Sequence, residues 1–264
     1  MNELNALFRQ RIGIPPNETI TFETLPHVLA KTATTIPFEN LGIMANKTSA
    51  VTKENLINKM LVRHEGGLCY ELNSLLYFFL IENGFRAVLT RGVVYKQPLQ
   101  TFMTLGRTHV TILVTHEGQT YLADTGFGGN LPLMPVPLTG ETVTSDNGQF
   151  RVRNENSGYG DYMLEMKLKH KDADWRIGYA FDSLQPVTDV TEFGEIQTII
   201  AEHPDSPFNK NRLITKLTSN GNVTLTDTSF TRWEDGNVTK EEIGPAKFQE
   251  LLNRHFGTEK AAQG

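Results

Sequence analysis

The sequence predicts an α+β fold, with a helical N-terminal block, a run of antiparallel strands in the middle and a mixed C-terminal segment. Three observations carry this expectation. Up to about residue 84, apolar residues recur at intervals of three and four, the period of a helix packed by one face. From Phe85 the period changes to two, that of a half-buried strand, with turn residues between the runs. After Pro186 helical and alternating stretches mix. The expected organisation is therefore 1–84 helical, 85–188 stranded and 189–264 α/β.

The first helix is predicted from Met1 to Ile14, with Leu4, Leu7, Phe8 and Ile12 on one stripe; Pro15-Pro16 ends it. Thr24 to Thr34 forms a second helix. Ile36 to Leu41 is extended or turned, because Pro37 biases Ile36 away from helical dihedrals. Thr52 to Val62 opens on a capping pair, Thr52 and Asn55. Gly66-Gly67 then breaks the chain, and Leu72, Leu75, Leu76, Phe79 and Leu80 space a buried helix that Asn83-Gly84 stops.

In the middle block Ala87 to Tyr95, Thr108 to Thr115, Gln119 to Thr125, Phe150 to Arg153, Tyr162 to Lys169 and Trp175 to Phe181 read as strands. Between the third and fourth, Gly126 to Thr139 is a loop bent by glycines and prolines. Consecutive strands with turn signals indicate an antiparallel barrel or a sandwich. Further on, Asp189 with Glu192 caps a helix running to about Glu202. Arg212 to Thr218 and Val223 to Phe230 form a hairpin around Ser219-Asn220-Gly221-Asn222. Pro245 opens a last helix with Phe248, Leu251, Leu252 and Phe256 on one face and Gly257 as its stop.

Composition narrows the function classes. Of 264 residues, 39% are hydrophobic and 21% charged, with a net charge of −5, which does not indicate a basic nucleic-acid surface. The N-terminal helix has no apolar signal-peptide core, and no stretch approaches the ~18 apolar residues of a membrane span. A cytoplasmic protein, bound neither to nucleic acid nor to membrane, is expected; its oligomeric state is open. The single cysteine excludes an intrachain disulfide, and without CxxC or HExxH spacing no metal is expected.

That cysteine, Cys69, directly follows the glycine bend, in the first turn of the buried helix. Unpaired amides and the positive end of the helix dipole favour an anion there, one setting in which a thiol becomes a reactive thiolate. A hairpin centred on Glu117-Gly118 supplies the partners. Pairing Thr115 with Thr120 puts His109 opposite Gly126 and Asp124 opposite Thr111, so His109 and Asp124 share one sheet face within hydrogen-bonding reach. Each residue alone has a plain structural role: a small buried apolar group, a strand histidine, an aspartate that shapes a turn. Together they are the parts of a thiol nucleophile, its base and the base's orienter.

Ile36 to Leu41 (IPFENL), the GGLCYELN run within Arg63 to Asn73, His109, and Asp124 to Gly128 resemble the arylamine N-acetyltransferases. The match is in order along the chain, strongest from 36 to 138. The resemblance implies a Cys69–His109–Asp124 triad and acetyl transfer from acetyl-CoA, as co-substrate, to the nitrogen of arylamines, arylhydrazines or N-hydroxyarylamines through an acetyl-cysteine. It also implies an N-terminal helical bundle, a β-barrel and a C-terminal α/β lid with a papain-like core. Phe38, Leu68, Phe127 and Phe208 fall at positions that line the family's acceptor pocket, and Gly126, Gly128 and Gly129 are candidates to bring backbone close to the coenzyme. Xenobiotic metabolism is the physiological setting the resemblance implies. Two positions depart from the family pattern: Glu65, where arginine is usual, and Thr125, where valine is common. An acid near the cysteine disfavours a thiolate unless it points away or pairs with Arg63 or His64. Competing readings are a papain- or transglutaminase-like thiol amide hydrolase and a non-catalytic protein that binds aromatic ligands.

Overall fold

The computed structural model describes residues 2–257. Met1, predicted as part of the first helix, and residues 258–264, predicted within the C-terminal block, lie outside the described residues. The chain opens with α1 (Glu3–Ile12), α2 (Leu25–Thr35), a two-residue strand β1 (Phe38–Glu39), two short helices α3 (Leu41–Met44) and α4 (Lys53–Leu56), and α5 (Cys69–Glu82). Leu4, Phe8 and Ile12 are buried as the stripe requires, and Leu7 packs against them partly exposed. Gly13, in the left-handed region at φ 72°, caps α1 by donating to the Arg9 carbonyl. The helix thus stops at a glycine cap, before the Pro15-Pro16 pair that was expected to end it.

Thr52 accepts from the Asn55 amide at 3.2 Å, as its capping role requires. The uniform α-helix expected up to Val62 is not found. After Leu56 the helix widens into a π-helical stretch, Ile57–Val62. The Met60 carbonyl in it accepts from the Arg11 guanidinium at 3.2 Å, a partner from outside the helix of the kind that disturbs a regular ladder.

The middle block contains β2 (Arg86–Lys96), β3 (Thr101–Phe102), β4 (His109–His116), β5 (Gln119–Ala123), β6 (Val136–Pro137), β7 (Val143–Ser145), β8 (Gly148–Asn154), β9 (Tyr162–Leu168) and β10 (Arg176–Phe181). They form one antiparallel sheet in the order β6-β5-β4-β2-β10-β9-β8-β7, with β3 on β2. The edge strand β6 comes against β8, so the sheet nearly closes on itself, a barrel rather than a sandwich. Strands β3, β6 and β7 were not predicted, because two or three residues are too few for an alternating pattern to register. Leu113, Leu122, Phe150, Val152, Leu164 and Phe181 fill the barrel. Leu89, Val110, Ile112 and Val114, on the opposite faces of β2 and β4, pack on α5.

The C-terminal block has α6 (Phe193–Glu202), β11 (Leu213–Thr218), β12 (Gly221–Thr226), β13 (Ser229–Glu234), β14 (Asn237–Glu242) and α7 (Pro245–Phe256). Asp189 accepts from the Thr191 amide at 2.9 Å and so caps a 3₁₀ turn, Val190–Glu192, ahead of α6. The predicted hairpin is corrected too: its turn is Ser219-Asn220 alone, and Phe230 belongs to β13. The strand expected over Val223 to Phe230 is interrupted because Thr226 Oγ1 accepts the Ser229 amide at 3.1 Å and turns the chain. β1 pairs with β11 (Phe38↔Thr215, Glu39↔Ile214), so the C-terminal sheet takes its edge strand from the N-terminal block. Phe248, Leu251, Leu252 and Phe256 of α7 cover this sheet. Among the described residues no helix is long and apolar enough to cross a membrane.

Candidate active site

Cys69 is the first residue of α5 and is buried. Two backbone contacts fix the chain as it enters the helix. Glu39 N donates to Gly67 O at 3.0 Å, and Gly67 N to Pro37 O at 3.2 Å, tying the glycine bend to β1. A Cβ on Gly66 would stand 2.1 Å from the Pro37 carbonyl, so close approach of two backbones requires glycine there. At the helix start Glu71 Oε2 accepts the Leu68 amide at 3.0 Å, which satisfies one of the unpaired donors. The Cys69 thiol points at the Thr108 carbonyl, 3.5 Å away, just before β4.

The hairpin of β4 and β5 has the expected register, Thr115↔Thr120, and its ladder runs to Ile112↔Ala123. There the chain leaves the sheet, because side chains capture its next groups. Thr111 Oγ1 donates to Ala123 O at 3.2 Å, and Thr125 N donates to Asn73 Oδ1 at 2.9 Å. β5 therefore ends at Ala123, two residues short of the predicted Thr125. Asp124 follows directly, with its carboxylate 2.8 Å from His109 Nε2. Four donors surround it. His109 Nε2 and the Tyr179 hydroxyl (2.7 Å) meet Oδ2; Asn73 Nδ2 (2.8 Å) and Gly126 N (2.7 Å) meet Oδ1.

Electrostatics follows from this cage. Burial works to raise the Asp124 pKa, but His109, Asn73 and Tyr179 outweigh it and hold the carboxyl below the usual range. Burial works to lower the His109 pKa, but the Asp124 charge and hydrogen bond, aided by the Cys69 sulfur, lift it to about 10. An imidazolium is thus favoured between carboxylate and sulfur, with Nε2 on Asp124 and Nδ1 left for the thiol. Such a pair can draw the thiol proton to the ring and hold it for a leaving group.

Two residues of the cage were not assigned from sequence. Asn73 carried a signal, since it lies four residues after Cys69 on the same helix face. It is fully buried and its amide is saturated, donating to Val110 O at 2.7 Å as well as to Asp124. Tyr179 carried none. It reaches Asp124 from β10, where a register shift between Ile177 and Tyr179 marks a bulge against β9.

The other candidate residues divide. Phe127 packs edge-on against both His109 (5.2 Å between centroids) and Tyr179 (5.1 Å). Phe38 stands beside Gly128 and meets Phe208 edge-on at 5.6 Å. Leu68 is fully buried and borders a small cavity of about 30 Å³ with Glu39, Lys59 and Tyr70. A Cβ on Gly126 would lie 2.6 Å from Cys69 Cα, so this glycine is needed to bring Asp124's loop against α5. Gly129 faces Asn222. Glu65 turns to the surface, where Arg63 binds both its oxygens at 2.8 and 3.0 Å. Thr125 is accounted for as well: its hydroxyl lies 3.1 Å from Asn73 Oδ1.

Residues 21–262 match the N-acetyltransferase family. The uncharacterized acetyltransferase YvcN of Bacillus subtilis (strain 168) is 41% identical over 248 residues, 94% of this chain and 95% of that protein. Arylamine N-acetyltransferase C from Bacillus anthracis has a similar structure, with TM-score 0.93 and 38% identity over 98% of this chain and 99% of that one. The arylamine N-acetyltransferase of Bacillus cereus, described as having a unique Cys-His-Glu catalytic triad, gives a TM-score of 0.92 at 40% identity over 97% and 99%.

Proposed function

This chain belongs to the arylamine N-acetyltransferase family, and on that premise we propose that it moves an acetyl group from acetyl-CoA to an aromatic amine or hydrazine through an acetyl-cysteine at Cys69. The observation that supports this most directly is the buried His109–Asp124 pair behind a cysteine at a helix start. In the first half-reaction the Cys69 sulfur attacks the acetyl carbonyl of the thioester. The carbon–sulfur bond to the coenzyme breaks, and the proton held by His109 passes to the departing thiolate. In the second, the amine nitrogen attacks the acetyl-cysteine, His109 takes the amine proton, and the Cys69 thiol is restored as the N-acetyl product leaves.

Asp124 keeps the imidazole oriented through both steps. Phe127, beside His109, with Phe38 and Phe208 near it, offers ring faces and edges to an aromatic acceptor. Gly128, beside Phe38 and Thr215, and Gly129, beside Asn222, are the backbone we assign to the coenzyme side. The test is intact-protein mass after incubation with acetyl-CoA alone. The wild type should gain one acetyl group and lose it on addition of an arylamine, and Cys69→Ala should gain none. An acetylated, active Cys69→Ala protein would overturn the reading. An acetyl-enzyme discharged by water at a rate indifferent to arylamine would make the protein a thiol hydrolase instead.

A further inference from the structure

Lys59, in the π-helical stretch, reaches between two carboxylates: Glu71 Oε1 at 2.7 Å and Glu39 Oε1 at 3.5 Å. The three side chains keep 17%, 10% and 4% of their exposure. The acids lie on the two sides of the nucleophile's bend. Glu39 belongs to β1 and its other oxygen accepts the Leu41 amide. Glu71 belongs to α5, two residues after Cys69, and its other oxygen holds the Leu68 amide. A carboxylate so near the helix start opposes the charge that the dipole favours on Cys69, and it does so through a poorly screening interior. Nothing in the proposed reaction uses Lys59, which touches neither the thiol nor the His109–Asp124 pair.

We propose that Lys59 is a positioning residue for Cys69, its ammonium cancelling the Glu71 and Glu39 charge at the start of α5 while it clamps α5 to β1. The remaining charged groups fit this arrangement. Glu65, which also acts on Lys59, is bound outside by Arg63. Cys69 also acts on His109, which is paired with Asp124, and on the Tyr179 hydroxyl, while Tyr70 lines the same small cavity as Lys59, Glu39 and Glu71 and feels both acids as well as Cys69. One ammonium between two acids leaves one negative charge over. Burial pushes the Glu39 carboxyl up and Glu71 adds to the rise, while Lys59 and the Leu41 amide pull against it.

The proposal rests on Cys69 as nucleophile, but alkylation of the thiol by iodoacetamide needs no acetyl donor, so the two readings fail separately. The measurement is alkylation rate against pH, with melting followed in parallel. Lys59→Met should move the midpoint of the profile up by about one pH unit, a tenfold slower reaction at neutral pH. Glu71→Gln keeps an acceptor for the Leu68 amide and should move the midpoint down. Combining the two should bring it back towards the wild type, which loss of packing alone would not do. A folded Lys59→Met protein with the wild-type midpoint would overturn the proposal. If Lys59→Met does not fold, Glu71→Gln decides alone: an unmoved midpoint there overturns it, and a downward shift supports it.

Discussion

The Tyr179 hydroxyl donates to Asp124 Oδ2 at 2.7 Å, the oxygen that also meets His109 Nε2 at 2.8 Å. A tyrosine at the barrel's bulge thus shares one carboxylate oxygen with the histidine of the candidate triad. Hydrogen bonds to a charged acceptor contribute about 1.5–3 kcal/mol. Tyr179→Phe should therefore lower the melting temperature and, by loosening Asp124, slow both acetylation and alkylation of Cys69 about tenfold. Wild-type rates in a destabilised Tyr179→Phe protein would confine Tyr179 to a packing role.

Asp124→Asn tests the orienter itself. An amide can present a donor where His109 Nε2 needs an acceptor, which selects the wrong tautomer. General acid–base groups contribute about 10²–10⁴-fold, and a thiol depends on its base less than a hydroxyl does. A loss of about 10²-fold towards acetyl-CoA and iodoacetamide is expected, with circular dichroism retained. Undiminished rates with both reagents would make Asp124 a loop-shaping residue only.

The His109–Asp124 pair also predicts how stability depends on pH. The folded His109 pKa is raised to about 10 from 6.5, so the contribution of its protonation is complete below about pH 6.5 and is lost as pH rises through 10. The Asp124 pKa is lowered, so its contribution is present above the ordinary carboxylate range and lost as pH falls through the folded value. The difference in melting temperature between wild type and His109→Gln should shrink steadily from pH 6.5 to 10. A difference constant across that range would contradict the raised histidine pKa.

Phe127 packs edge-on against His109 and Tyr179, the two residues that share the Asp124 carboxylate. Aromatic contacts add about 0.5–1.5 kcal/mol beyond burial, or roughly two- to twelvefold in affinity. Phe127→Ala should raise the arylamine KM by that factor while first-step acetylation stays within about threefold. Loss of acetylation with an unchanged acceptor KM would assign this loop to the coenzyme.

Gly126→Ala inserts a methyl 2.6 Å from Cys69 Cα and 2.8 Å from Asn73 Nδ2. Overpacking of this kind costs about 1–3 kcal/mol, or about 2–4 °C of melting temperature for each kcal/mol in a chain of this size. The variant should melt lower and alkylate slowly, because Asp124 is pushed away from α5. A Gly126→Ala protein with wild-type melting and alkylation would show that the loop has room the geometry denies.

The sequence by itself determined the elements whose signal is local. The period-three-and-four spacing of α5, the glycine bend before Cys69 and the Glu117-Gly118 turn are written in neighbouring residues, and they bring Cys69, His109 and Asp124 into view. The ends of elements were less legible where a side chain competes for a backbone group, as Thr226 does in the C-terminal hairpin and Arg11 at the π-helical stretch. Short strands such as β3 and β7 were invisible because a period needs several residues to repeat. Only the tertiary structure decided what encloses the site. Tyr179 reaches Asp124 through strand order and a bulge, 55 residues away in sequence. Lys59 meets Glu39 and Glu71 because β1 is drawn against the glycine bend. Glu65 is turned outward by Arg63. These are contacts between residues whose identities are ordinary by themselves, and a buried charge or hydroxyl acquires its role only from the partner that folding brings within about 3 Å.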